Sequence, residues 1–352
     1  MTEKERLELY VSPVPNKRQK RVQDMAFYAF LHYGMTTFTG KEWGSGRENP
    51  EKFNPSSQDT AQWIRAIKSA GMKGAILTAK HHDGFCLWQT ETTEHSVKNS
   101  SYKGGHGDVV REFTESCRKY GLQAGLYLSP WDRNSKLYGT PAYNDFYIAQ
   151  LTELLTGYGD LFCIWMDGAC GENKDGKPKQ IYDFERIYST VYSLQPECAI
   201  SVCGPDIRWV GNEGGRARES EWNVVGAKYF DTDKIAADSQ QSKTQDMVRA
   251  ADWSCEDRDL GSREALKKYD SFMWYPAEVD VSVRPGWFYH KHQDKAVRSL
   301  DNLMHIYNTS VEGNSALLLN IPPDRRELLA KHECVVLEAM GNEIQKRFSA
   351  PV

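Results

Sequence analysis

Short, nearly unbroken apolar runs alternate along this chain with stretches whose apolar residues recur three and four apart. Residues 26–35 form the first run and predict a buried strand. Residues 59–71 predict a helix, with Trp63, Ile64, Ile67 and Ala70 on one face and Gly71 as its stop. Residues 74–80 predict a second strand. Asp108 is placed to cap a helix whose stripe is Val109, Val110, Phe113, Cys117 and Tyr120, ending at Gly121. A strand over 123–129, a helix over 144–157, a strand over 161–167, a helix over 183–194 and a strand over 199–203 follow. Between 205 and 293 the rhythm weakens into Gly, Trp, Arg and Glu, which predicts long loops with short strands near 217–223 and 271–278. A helix over 294–311 carries Val297, Leu300, Met304 and Tyr307, and residues 315–320 make the last strand. The segment Asp324 to Glu327 has the form of a capping box opening a final helix.

Strands that are apolar on both faces belong in a parallel sheet covered by helices. About eight strand–helix repeats in one chain predict a closed (β/α)8 TIM-like barrel, read as a single domain over 1–352. A doubly wound open sheet is the alternative, but no G-x-G-x-x-G or phosphate-binding loop follows the early strands.

The chain of 352 residues is 40% hydrophobic and 26% charged, ordinary for a globular protein. Its net charge of −4 argues against nucleic acid or an anionic membrane as partner. Eight cysteines show no C-x-x-C pair, and Cys117, Cys163 and Cys203 fall within apolar faces, where a thiol acts as a small hydrophobe. The first residues are charged and lack the apolar core of a secretory signal, so a cytoplasmic address is expected, or a periplasmic or secreted one if a leader has been removed. Ten tryptophans and eighteen tyrosines allow a site with flat aromatic walls.

In such a barrel chemistry gathers at the C-terminal ends of the strands. Those ends carry His32, then His81 and His82, then Tyr127, then Trp165 and Asp167. The adjoining loops carry Glu42, Trp43, Glu213 and Trp287. A metal site on His32, His81 and His82 lacks the usual H-x-H on the first strand, and adjacent His81 and His82 point apart in a regular strand, so no metal is expected. A phosphate site needs glycine cradles at the late strands, which Asn320-Ile-Pro-Pro does not supply. Paired carboxylates fit better. Asp167 ends an apolar strand and is expected to stay ionised, with histidine and backbone donors holding its pKa down. Glu213, among glycines at 211, 214 and 215 that leave its loop free to place it, is the candidate partner.

The motifs Phe30-Leu-His32-Tyr-Gly34-Met, Lys41-Glu42-Trp43, Ala79-Lys-His81-His82-Asp83-Gly84-Phe85 and Trp165-Met-Asp167-Gly168 occur in an order that resembles glycoside hydrolase family 29, the retaining α-L-fucosidases. The resemblance runs from about residue 25 to about 325. It implies Asp167 as nucleophile, with His32, Glu42, Trp43, His81 and His82 holding the fucose hydroxyls. It implies Tyr127 and Trp165 lining the pocket and Trp287 packing near the C6 methyl. The run Gly204 to Gly214 is similar to the subfamily acting on α-1,3/1,4-linked fucose of branched, Lewis-type glycans, which implies Glu213 as acid/base, with Glu278 and Glu221 as alternatives. No cofactor is implied, and the partner is a fucosylated oligosaccharide. Family members commonly carry a C-terminal β-sandwich, whereas this chain ends at Val352, so the catalytic barrel alone is expected. A non-catalytic, fucose-binding barrel is the rival reading.

Overall fold

A computed structural model describes residues 2–171, 178–230 and 259–349. Among the described residues ten strands are defined: β1 Phe27–Leu31, β2 Gly74–Lys80, β3 Gln123–Leu128, β4 Cys163–Met166, β5 Ala199–Val202, β6 Arg208–Trp209, β7 Val224–Gly226, β8 Phe272–Trp274, β9 Ala277–Ser282 and β10 Ala316–Asn320. Eight of them form one parallel sheet in the order β5-β4-β3-β2-β1-β10-β9-β6. Its two edges approach through a parallel bridge between Ser201 and Ile207, which nearly closes the barrel. The predicted (β/α)8 fold is therefore the observed one.

Alternation along each strand builds two cores. In β1, Phe27, Ala29 and Leu31 pack outward against the helices, while Tyr28 and Phe30 fill the barrel. In β4, Ile164 and Met166 face out, while Cys163 and Trp165 face in. Amphipathic helices cover the outside, among them Thr60–Ser69, Val109–Tyr120, Ala142–Gly157, Phe184–Leu194 and Lys331–Ser349. Asp108 caps its helix as expected, accepting from the Arg111 amide at 2.8 Å, and Gly121 closes it in the left-handed conformation.

Four expectations need correction. No strand forms over 217–223; the pairing there goes instead to β6 and to the antiparallel pair β7–β8. The run 271–278 is two elements, split at Pro276, which has no amide proton to continue a ladder. The helix expected over 294–311 is regular only at Leu300–Tyr307, with tighter turns before it and a wider one after it. The final helix begins at Lys331, not at Asp324. Asp324 does accept from the Arg326 amide at 2.7 Å, but Glu327 adopts φ +67°, which breaks the turn and sends its side chain inward.

Candidate active site

The strand alternation that fills the barrel also decides what reaches its mouth. Continuing the inward positions 28 and 30 brings His32 to the rim, and continuing 163 and 165 brings Asp167. The Asp167 carboxylate accepts from the Tyr127 hydroxyl at 2.8 Å and from the Ala169 amide at 3.0 Å, and its side chain is 18% exposed. It is thus open to solvent while held at both oxygens. Burial nevertheless outweighs those donors and pushes its pKa up to about 6. The expectation of a depressed value fails because the nearest imidazole brings no charge. His82 Nε2 lies 3.5 Å from Asp167 Oδ2, but burial lowers the His82 pKa to about 3.

The neutral histidines have assignable protons. Asn320 Nδ2 donates to Ser282 Oγ and to the Trp287 carbonyl, so its Oδ1 must accept from His32 Nδ1 at 2.8 Å. Burial holds His32 neutral as well, with a pKa near 3, so its Nε2 carries a lone pair. Ser129 donates to the Trp131 carbonyl and therefore accepts from His82 Nδ1 at 2.8 Å, which likewise leaves His82 Nε2 an acceptor. His81 and His82 do not point apart. A register shift in β2 between Thr78 and Lys80 breaks the alternation, and the two rings lie 4.0 Å apart, tilted by 38°. Lys80 instead turns toward Asp132 (3.0 Å) and Gln150 (2.8 Å). Gly84 allows the tight turn that follows: it has φ +77°, and a Cβ there would fall 2.4 Å from Asp132 Oδ1.

The opposite wall comes from two loops. Glu42 accepts from the Trp287 amide at 2.8 Å and from His290 Nε2 at 2.6 Å. Trp43 packs against His82 and Trp131. The Trp287 ring lies 5.0 Å from His32, and its Nε1 donates to Glu213 Oε2 at 3.2 Å. Burial, reinforced by the charges of Asp167 and Glu42, raises the Glu213 pKa to about 7. The loop that carries Glu213 is not free, contrary to expectation. Asn212 Oδ1 accepts from the amides of Gly214 and Arg216, and Gly214 bridges to Val281 of β9. Gly215, at φ +73°, lets the loop lie against Val281 and Ile306.

A family model for alpha-L-fucosidases matches residues 14–347. The chain belongs to the alpha-L-fucosidase family. It is 40% identical over 344 residues to alpha-L-fucosidase 1 of Arabidopsis thaliana, a match covering 96% of this chain and 62% of the plant protein. A Bacteroides ovatus structure solved as a proposed alpha-L-fucosidase superposes with TM-score 0.88 at 47% identity, covering 98% of this chain and 58% of that one. A Ruminococcus gnavus GH29 fucosidase solved in complex with fucose superposes with TM-score 0.79 at 30% identity, covering 95% and 68%. The chain spans about three fifths of the length of the plant relative and of the Bacteroides structure.

In this family member the alternative acids lie elsewhere. Glu278 is fully buried inside the barrel, where Tyr28, Trp165 Nε1 (2.8 Å) and Ser201 (3.0 Å) all donate to it. Glu221 is buried between Arg208 (2.6 Å) and Arg218 (2.9 Å), which hold its pKa down. Both carboxyls are buried and engaged by those partners. Three residues were missed from sequence. Asn320 and Ser129 fix the histidine tautomers, and Asp280 sits on the inward face of β9, where the charge of Glu213 reaches it. Asn320 and Asp280 were within reach, because both fall on the inward parity of their strands. Ser129 depends on a loop contact that no periodicity encodes. Among the described residues, no group of three or more His, Cys, Asp or Glu side chains could hold a metal ion, and no helix is long and apolar enough to cross a membrane.

Proposed function

We propose that this protein is a retaining exo-α-L-fucosidase, with Asp167 as nucleophile and Glu213 as acid/base. One observation carries the reading: two carboxyls share one mouth, one held by Tyr127 and open to solvent, the other pushed to about 7 partly by the first one's charge. At neutral pH Asp167 is largely ionised and Glu213 partly protonated, the division of labour that double displacement requires. Asp167 attacks the anomeric carbon while Glu213 gives its proton to the leaving oxygen. Glu213 then takes a proton from water, which hydrolyses the glycosyl-enzyme intermediate.

The neutral histidines complete the reading. His32 and His82 each offer an Nε2 lone pair, which a sugar hydroxyl satisfies by donating. Glu42 and Trp43 border the same space, and Trp287 offers a flat face for the C6 methyl. Tyr127, Trp165 and His81 wall the floor.

Asp167→Ala is expected to abolish turnover of an aryl fucoside while fucose still protects the protein in thermal shift; unchanged turnover would reject the nucleophile. Glu213→Ala should slow substrates with poor leaving groups most, and azide should restore rate through a fucosyl azide product. The run around Glu213 supports α-1,3/1,4-linked fucose on branched glycans as substrate. Faster release from a Lewis trisaccharide than from 2′-fucosyllactose is the expected outcome. The reverse order points to a broad-specificity enzyme, and binding without any release to a non-catalytic barrel.

A further inference from the structure

Strand β9 presents Glu278, Asp280 and Ser282 to the barrel interior, because Val279 and Val281 face the helices. Glu278 is tied to Trp165, and Ser282 to Asn320. Asp280 has no part in the reaction described so far. It is buried, and it accepts from Trp209 Nε1 at 2.8 Å.

Trp209 ends β6. Its neighbour Arg208 sends its guanidinium outward to Glu221 and the Tyr275 carbonyl, so alternation turns Trp209 inward, as its bond to Asp280 requires. Even so, Trp209 is 38% exposed. An indole pinned at its N–H edge by a buried carboxyl, with more than a third of its surface left to water, is poor packing. It is good preparation for stacking on the C–H face of a pyranose.

Its position says which pyranose. Gly214 bridges to Val281 in the antiparallel sense, which sets Glu213 opposite Ser282 and diagonal to Asp280 on the same face, and the charge of Glu213 reaches Asp280. A line of neighbours runs from His32 to Trp287 and on to Glu213 by contact, across the diagonal to Asp280, and from Asp280 to Trp209 by a hydrogen bond. The fucose-side wall, His32 and Trp287, stands at one end of that line, and Trp209 at the other. An acid that protonates a glycosidic oxygen sits between the two sugars which that oxygen joins.

We propose that Trp209 is the platform for the sugar that leaves, and that Asp280 is the positioning residue that holds its indole. The proposal deepens the reading of Glu213 as acid/base and rests on it. The ligand is the pyranose to which the fucose is attached.

Two substrates separate this role from a structural one: a branched fucosylated trisaccharide, and α-L-fucosyl fluoride, which has no leaving sugar. Trp209→Ala is expected to lower kcat/KM on the trisaccharide about tenfold more than on the fluoride. Trp209→Phe, which keeps an aromatic face, should recover most of the difference. Asp280→Ala should reproduce the split, whereas Asp280→Asn, whose amide oxygen still accepts from the indole, should not. Equal losses on both substrates, or no loss on either, would overturn the proposal. The underlying reading is checked separately by azide rescue of Glu213→Ala. If that rescue fails while the Trp209 split appears, the acid/base assignment is wrong and the platform stands.

Discussion

Asp167 and Glu213 differ less in their affinity for protons than in what each must do with one. As the proposed nucleophile Asp167 must be ionised, so activity carried by it is expected above about 6 and lost as pH falls through that value. As the proposed acid/base Glu213 must be protonated in the first step, so activity is expected below about 7 and lost as pH rises through it. The dependence of kcat/KM on pH is therefore expected to be a narrow bell with its top between those values. Because the two groups feel each other's charge, the limbs belong to the pair. Tyr127→Phe removes the hydroxyl that stabilises the Asp167 carboxylate. It should move the acid limb upward and lower the maximum by roughly 10-fold, as loss of a hydrogen bond to a charged group does. An acid limb that stays in place would mean that the Tyr127 hydroxyl does not tune the nucleophile. Asp167 was legible in the sequence because an apolar strand that stops abruptly at a carboxylate carries that charge to the rim of a barrel. Its pKa was not, because the charge state of His82 depends on burial, which no motif records.

At the scale of elements, the loop after β6 decides whether Glu213 is placed or merely present. Its glycines suggested freedom, but the structure uses Gly215 to bring the loop against β9 and Asn212 to close the turn. Asn212→Ala removes the acceptor for two amides while leaving every sugar-facing side chain intact. It is expected to lower kcat by roughly 10- to 100-fold, the penalty for misplacing a catalytic group by about 1 Å. Inhibition by free fucose should change little, and a large loss of fucose affinity would show that the loop also shapes the sugar pocket. Long apolar strands such as β2 and β10 were legible because both of their faces are buried. β6 was not, since two residues carry no periodicity, and the β2 irregularity that brings His81 and His82 together leaves no mark on composition.

The whole molecule balances two families of buried titratable groups with opposite responses to acid. The neutral histidines His32 and His82 destabilise the fold as pH falls below about 6.5, because only the unfolded chain then takes up their protons. Buried acids act the other way, and Glu327 is the clearest, lying far in sequence from Asp167 and Glu213. The same φ of +67° that ends the expected capping box turns its side chain into the protein, and burial, with the nearby charge of Glu112, raises its pKa to about 8. A raised acid contributes stability that is fully present below its unfolded value of 4.5 and is lost as pH rises through 8. Glu327→Gln keeps the shape and removes the proton. The variant is therefore expected to melt at a higher temperature than the parent at pH 8.5, with the difference shrinking toward pH 4.5, where both side chains are neutral. Differential scanning calorimetry across that interval measures it. A variant less stable than the parent by the same amount at both ends would mean that the Glu327 carboxyl is held by hydrogen bonds an amide cannot replace, and that its burial does not set the alkaline limit of the fold.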